Sequence, residues 1–244
     1  MKRKAVEPLL QRKVALITGG NRGIGLAIAR ALIAEGCDVM IAAREESTLK
    51  RAAKEIGGNR ARAIPVVCDV RDLESVEAML AALKKRFGRL DILVNNAGIA
   101  HPNLAVAQLP VESWTEVMAT NLTGMFLVTR AALPLMNRGG AIVNNLSISA
   151  ERVFPGSSAY TASKQGALGF TNTLREELRE QGIRVVALLP GATDTAIWNA
   201  FWPDAPRKKM MSAHTVAEAL VHALTLPPES TLEELRILPT AGVL

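Results

Sequence analysis

The chain has 244 residues, 49% hydrophobic and 21% charged, the balance of a single α/β domain able to bury a sizeable core. No apolar run approaches the roughly 20 residues of a membrane span, no signal-peptide apolar region follows the basic start Lys2-Arg3-Lys4, and two cysteines, Cys37 and Cys68, suit neither a disulfide framework nor a metal site. A net charge of +6 admits an acidic partner, but with only 4% aromatic residues a base-stacking nucleic-acid surface is disfavoured, so a cytoplasmic protein with no nucleic-acid, membrane or metal partner is expected.

Short apolar runs alternate with longer helical stretches along the chain. Residues 14–18 read as a strand followed by a helix over 23–34, residues 39–43 as a strand followed by a helix near 47–56, and 63–68 as a third strand. Asp72 reads as the N-cap of a helix ending near Phe87, since its carboxylate can accept from an unpaired first-turn amide. Residues 92–94 form a fourth strand, 111–136 one long helix, 141–146 a fifth strand, 158–181 another helix and 183–189 a sixth strand. A helix near 215–226 and a weak strand near 235–238 close the chain.

Nearly all-apolar strands joined by helices predict a parallel sheet buried on both faces. The expected fold is α/β: a doubly wound, Rossmann-type sheet of about seven strands with helices on both faces. It spans 12–244 as a single domain behind a basic tail over 1–11. Such folds bind ligands beyond the carboxyl ends of their strands. Pro65 is compatible with the third strand, because the order 3-2-1-4-5-6 leaves that strand at an edge, where a missing N–H is tolerated.

Thr18-Gly19-Gly20-Asn21-Arg22-Gly23-Ile24-Gly25 lies between the first strand and the first helix. Glycines there permit a tight turn and let backbone N–H groups approach a pyrophosphate at the helix N-terminus; a purely structural turn is the plainer alternative. The spacing is G-x-x-x-G-x-G with no following Lys-Ser/Thr pair, which argues against a nucleotide-hydrolysing P-loop. NAD-binding folds tend to end strand two on a carboxylate for the ribose 2′-hydroxyl. Here Ala43 and Arg44 end it, and Arg44, with Arg22 as a second cation, can pair with a 2′-phosphate. NADP(H) is therefore the expected cofactor, with NAD(H) left open by Glu45 and Glu46, which follow at once.

Tyr160 and Lys164 stand four residues apart in a predicted helix, hence on one face. An ammonium about 4 Å from a phenol, at an effective dielectric near 20, contributes roughly 4 kcal/mol. At about 1.4 kcal/mol per pKa unit, that is more than enough to draw this single tyrosine of the chain down by about two units, into the range of acid–base catalysis. Ser147 ends the fifth strand and faces the expected ligand crevice, where a hydroxyl can hydrogen-bond a substrate carbonyl. Ser149 is its rival, and strand register alone leaves the choice open.

With these segments in order, residues 14–195 closely resemble the short-chain dehydrogenase/reductase family. The resemblance rests on the glycine-rich loop over 18–25, Cys68-Asp69-Val70, Asn95-Asn96-Ala97-Gly98, Asn121, then Ser147, Tyr160 and Lys164, and Pro190-Gly191-Ala192-Thr193-Asp194-Thr195. It implies that Tyr160 is the general acid in reduction and the base in oxidation. Lys164 would lower its pKa and hold the nicotinamide ribose, Ser147 rather than Ser149 would orient the carbonyl, and Asn121 would complete a water-linked proton relay. Gly19, Asn21, Arg22, Gly23, Ile24 and Gly25 would cradle the pyrophosphate. Asp69 and Val70 would contact the adenine, and Asn96, Ala97 and Gly98 the ribose. Pro190, Gly191, Thr193 and Thr195 would lie on the carboxamide or pyrophosphate side. The helices carrying Asn121 and Tyr160 resemble the family's subunit-contact helices, implying a homodimer or homotetramer. The end of the chain, Leu226-Pro227-Pro228 and then residues 233–239, departs from the Gly-rich ending many members carry.

Between Thr195 and Ser212 sit Trp198, Phe201, Trp202, Met210 and Met211. This lid-like segment, about 195–212, offers side chains suited to an apolar pocket or to packing on the sheet or at a subunit interface. Trp198 and Trp202 are substrate-contact candidates. So is His101, which either lines the pocket or sits in a surface loop. Arg207-Lys208-Lys209 attracts a phosphorylated carrier or forms a solvated turn. No G-x-S-x-G elbow suggests hydrolysis. The expected activity is an NADP(H)-dependent ketone or 3-oxoacyl reductase, or an alcohol dehydrogenase running in reverse. Its substrate would be a small carbonyl or alcohol, acyl thioesters included. The alternatives are a catalytically silent NADP(H)-binding regulator and an NADP-dependent epimerase or dehydratase.

Overall fold

The computed structural model describes residues 10–57, 63–227 and 229–243, so the tail expected over 1–11 lies almost wholly outside the described residues. Seven strands form one parallel sheet: β1 (Val14–Thr18), β2 (Asp38–Ala43), β3 (Ala63–Val67), β4 (Leu90–Asn95), β5 (Met136–Asn145), β6 (Arg184–Pro190) and β7 (Glu234–Ile237). Their order is β3-β2-β1-β4-β5-β6-β7. The helices are α1 (Gly23–Ala34), α2 (Glu46–Ile56), α3 (Leu73–Phe87), α4 (Val111–Met118), α5 (Gly124–Ala132), α6 (Ser158–Arg179), α7 (Trp198–Phe201) and α8 (Ala213–Leu224). The expected doubly wound fold is thus the observed one.

Strand periodicity builds the two cores. Along β1, Ala15 and Ile17 pack with Ile28, Leu32, Leu49 and Leu220 of α1, α2 and α8. Val14 and Leu16 point the other way, to Leu83, Val128 and Leu174 of α3, α5 and α6. Alternate side chains of one strand enter opposite layers, so a strand buried on both faces must be apolar at every position. Pro65 pairs with Ile41 of β2 on the edge strand of the sheet, as its missing N–H requires. Asp72 caps α3, accepting from the Glu74 amide at 3.1 Å.

The helix expected over 111–136 is corrected by the structure. It is α-helical to Met118, passes through a π turn at Ala119–Thr123, resumes as α5, and ends in a 3₁₀ turn at Leu133–Leu135. Pro134 lacks the N–H that would continue it. The fifth strand starts at Met136, not Ala141, because the register against β4 shifts: Leu90 faces Met136 and Ile92 faces Ala141. Asn137, Arg138 and Gly139 bulge out to solvent between these pairs, with Gly139 at φ 86°. The polar bulge reads locally as a loop.

Candidate active site

Loops leaving the carboxyl ends of β1 to β6 converge on a cavity of about 1130 Å³, the place a doubly wound sheet offers a ligand. Gly19, Asn21, Arg22, Gly23 and Ile24 line it from the first loop. Gly19 and Gly23 take φ values of 63° and 55°, a left-handed backbone in which a β-carbon is strained. Arg22 is the N-cap residue of α1 but gives no side-chain cap. The first-turn amides of α1 therefore have no side-chain acceptor and remain available to an anion. Asn21 Nδ2 donates to Thr48 Oγ1 at 2.9 Å, tying the loop to α2.

Gly25 does not line the cavity. A β-carbon there would meet Gly19 O and Asn96 Nδ2, each at 2.4 Å. The residue expected to touch a cofactor instead lets α1 pack on its own loop and on β4's. Asn96 completes that junction by donating to Thr18 O at 2.9 Å and Gly19 O at 3.1 Å.

The loops after β2 and β3 bring arginines to the cavity. Arg44 lines it with a half-exposed side chain, and its nearest carboxylate, Glu116, is 3.9 Å away. Arg71, which sequence reasoning passed over, also lines it. Its guanidinium is bidentate on Asp69, at 2.6 and 3.0 Å, and reaches Glu116 at 3.3 Å. Arg71 thereby holds the Asp69 carboxyl below its usual range. The available signal was its place two residues beyond Asp69.

The catalytic candidates meet where β5 ends and α6 begins. Ser147, Tyr160 and Lys164 all line the cavity, and the Ser147 hydroxyl faces the Tyr160 phenol closely enough to draw its pKa down. Ser149 also lines it, and its amide donates to Ser147 Oγ at 3.1 Å. Ser149 thus supports the Ser147 hydroxyl. Lys164 is 4% exposed; its Nζ donates to Asn145 O at 3.0 Å and stands 5.6 Å from the Tyr160 ring centre.

The expected electrostatics need correction. The Tyr160 phenol is held above its ordinary value by burial, with the Ser147 hydrogen bond working the other way. Burial also pulls Lys164 down to about 8. The expectation counted the attraction between the two groups and omitted the water both lose in coming together.

Asn121 lies in the π turn, 1% exposed, and is not part of the cavity wall. Its Oδ1 accepts from Ile99 N at 2.8 Å, while Nδ2 donates to Ile99 O at 2.9 Å and Ser163 Oγ at 3.0 Å. Through these side-chain bonds Asn121 clamps the β4 loop to α6. π turns recur at functional sites, and this one aims the clamp.

Asp69, Val70, Ala97, Gly98, Pro190, Gly191, Thr193 and Thr195 line the cavity, together with Trp198 and Trp202. His101 does not. It is 2% exposed, neither a surface residue nor a wall residue, and its Nδ1 donates to Pro102 O at 2.7 Å. Met210 and Met211 also lie off the cavity, Met211 against the core beneath α1 and α8. Arg207 is no docking cation: it bonds Asp194, Thr195 O and Asn199 at 2.7–3.0 Å. Phe201 and Phe154 join the wall.

The family model described as short chain dehydrogenase matches residues 13–206. A Streptomyces coelicolor protein named "Putative ketoacyl reductase" is 43% identical over 187 residues, 75% of this chain and 71% of that protein. Among solved structures, an alcohol dehydrogenase from Thermococcus sibiricus complexed with 5-hydroxy-NADP superposes with a TM-score of 0.88 at 31% identity, covering 94% of this chain and 97% of that one. A 3-ketoacyl-(acyl-carrier-protein) reductase from Brucella melitensis complexed with NADH gives 0.85 at 32% identity, covering 95% and 98%.

Proposed function

The chain belongs to the short-chain dehydrogenase family, and from that membership we propose that it is an NADP(H)-dependent carbonyl reductase with Tyr160 as its proton donor. The observation that carries the reading is Ser147, Tyr160 and Lys164 gathered on one wall of the cavity that the uncapped N-terminus of α1 also lines.

The residues present fit a nicotinamide dinucleotide. Gly19, Asn21, Arg22, Gly23 and Ile24 would hold the pyrophosphate on the free amides of α1. Arg44 would take the 2′-phosphate, Asp69 and Val70 the adenine, and Asn96, Ala97, Gly98 and Lys164 the ribose. Pro190, Gly191, Thr193 and Thr195 would face the carboxamide. The Arg44 guanidinium, whose closest ion pair among the described residues is with Glu116 at 3.9 Å, supports NADP(H) over NAD(H).

When bound, the dinucleotide supplies the hydride that adds to the carbonyl carbon, the C=O π pair moving onto oxygen. Tyr160 gives that oxygen its proton, an O–H bond forming as the phenolic O–H breaks. A phenol held above its ordinary pKa is protonated at neutral pH and ready for the reductive direction. Ser147, bonded to the phenol, orients the carbonyl, and the Lys164 ammonium balances the phenolate that results. Asn121 keeps Ile99 and Ser163 in place beneath them. Turnover of NADPH with a panel of ketones tests the reading: steady oxidation supports it, and cofactor binding without turnover on every ketone favours a silent regulator. Product formation without net NADPH loss favours an epimerase or dehydratase.

The half-exposed Trp114 and Phe126 of α4 and α5 support a homodimer or homotetramer through these helices. The two cysteines are buried and free, which suits a reducing cytoplasm.

A further inference from the structure

Beside Tyr160 stands an aromatic wall that proton and hydride transfer do not require. The ring centres of Tyr160 and Phe201 are 6.3 Å apart at an interplanar angle of 39°, those of Trp198 and Phe201 5.9 Å at 67°, and those of Trp198 and Trp202 6.4 Å at 60°. All three pairs fall within the range of favourable ring contacts. Trp202 keeps 42% of its surface exposed. Phe154 and Ile148 line the same cavity from the loop after β5.

The wall is rigid. Trp198 Nε1 donates to Thr193 O at 2.9 Å. The Phe201 carbonyl accepts from Asn103 N at 3.3 Å, and Trp202 N donates to Trp198 O at 2.8 Å. Arg207 straps the segment to Asp194 and Asn199 at 3.0 and 2.8 Å. The Trp198 ring and the backbone bearing Phe201 and Trp202 are thus held in place by the protein's own bonds.

Charge is distributed unevenly around the cavity. Among the described residues, Lys164 apart, the charged groups of its wall sit on the β1, β2 and β3 loops and α2: Arg22, Arg44, Glu45, Arg51, Asp69 and Arg71. The aromatic segment contributes none, since Arg207 is engaged in the strap and Lys208 and Lys209 do not line the cavity.

We propose that this wall selects a neutral ring-bearing ketone, an aryl or fused cyclic ketone, over a linear 3-oxoacyl thioester. The inference rests on the reductase reading and names its substrate class. A flat ring has no internal rotors to freeze and presents a π-face to the contacting rings of the wall, whereas a linear acyl chain must be immobilised bond by bond. A phosphate-bearing carrier arm meets no cation on that side of the cavity.

Calorimetric titration of the protein, cofactor-free and loaded with NADP+, with 1-tetralone and with a short acetoacetyl thioester tests the class. The ring ketone is expected to bind about tenfold tighter. Phe201→Ala should weaken tetralone binding about fivefold and leave the thioester within twofold. Phe201→Leu, which keeps an apolar side chain without a ring, should give the same pattern if the alanine variant folds poorly. Equal or tighter thioester binding, or parallel weakening of both ligands in the variants, overturns the proposal. NADPH turnover, recorded separately, decides the reductase reading: thioester turnover with no ring preference in binding leaves a reductase of another substrate class.

Discussion

The Lys164 ammonium lies 5.6 Å from the centre of the Tyr160 ring, one helical turn along α6. That proximity follows from i, i+4 spacing, but its consequence depends on what surrounds the pair. Burial lowers Lys164 to about 8 and raises Tyr160, so each group is pushed toward its neutral form.

In the unfolded chain Lys164 titrates at its ordinary value of 10.5, and in the folded protein at about 8. Between those values the unfolded state holds more protons, so this group makes stability rise with pH from about 8 to about 10.5. Below 8 the buried ammonium costs about 3 kcal/mol. Lys164→Met is expected to abolish turnover yet stabilise the cofactor-free protein by about 1–3 kcal/mol at pH 7, the gain fading toward pH 10. Urea unfolding followed by circular dichroism at several pH values measures it. A pH-independent difference would show that the ammonium is not desolvated.

Tyr160→Phe is expected to lower kcat by about 10²–10⁴ while leaving the dissociation constant of NADPH within a few-fold. Near-wild-type rates would remove Tyr160 from the chemistry.

Ser147 lowers the pKa of Tyr160 by hydrogen bonding. Ser147→Ala should therefore raise it further. In the alcohol-oxidising direction, where the phenolate is needed, the rise of rate with pH should move to higher pH. The reductive rate should fall because the carbonyl is no longer oriented, with little change in its acid limb. An unmoved alkaline profile would mean that the hydrogen bond does not tune the phenol.

Arg44→Asp should weaken NADPH binding about 10- to 100-fold, the worth of one charge-assisted hydrogen bond to the 2′-phosphate, and leave NADH equal or tighter. Fluorescence titration with both cofactors gives the ratio; if it is unchanged, Arg44 does not meet the 2′-phosphate.

Gly25→Ala should destabilise the cofactor-free protein by about 1–3 kcal/mol, because its β-carbon would sit 2.4 Å from Gly19 O. Thermal unfolding without ligand tests this. A variant as stable as wild type but unable to bind NADPH would return Gly25 to the cofactor's own contact surface.

Much of the fold was legible because its signals are local. The Asp72 cap, the edge position of Pro65 and the apolar strands each follow from backbone geometry over a few residues. The glycine-rich turn after β1 and the i, i+4 spacing of Tyr160 and Lys164 are local in the same way, whereas the choice of Ser147 over Ser149 came from the family resemblance. The polar bulge at 137–139 hid the start of β5 because its pairing partner, Leu90, is remote in sequence.

What the chain alone determined was the element order and the sheet, consequences of periodicity and spacing; the candidate side chains of the site came from the family resemblance those segments carry. The assembled fold decided which groups lose water and which find partners. It buried His101 off the cavity, turned Arg207 into a strap and Asn121 into a clamp, set Arg71 on Asp69, and shifted Tyr160 upward. Desolvation and pairing are sums over atoms that only folding brings together, so no window of sequence contains them.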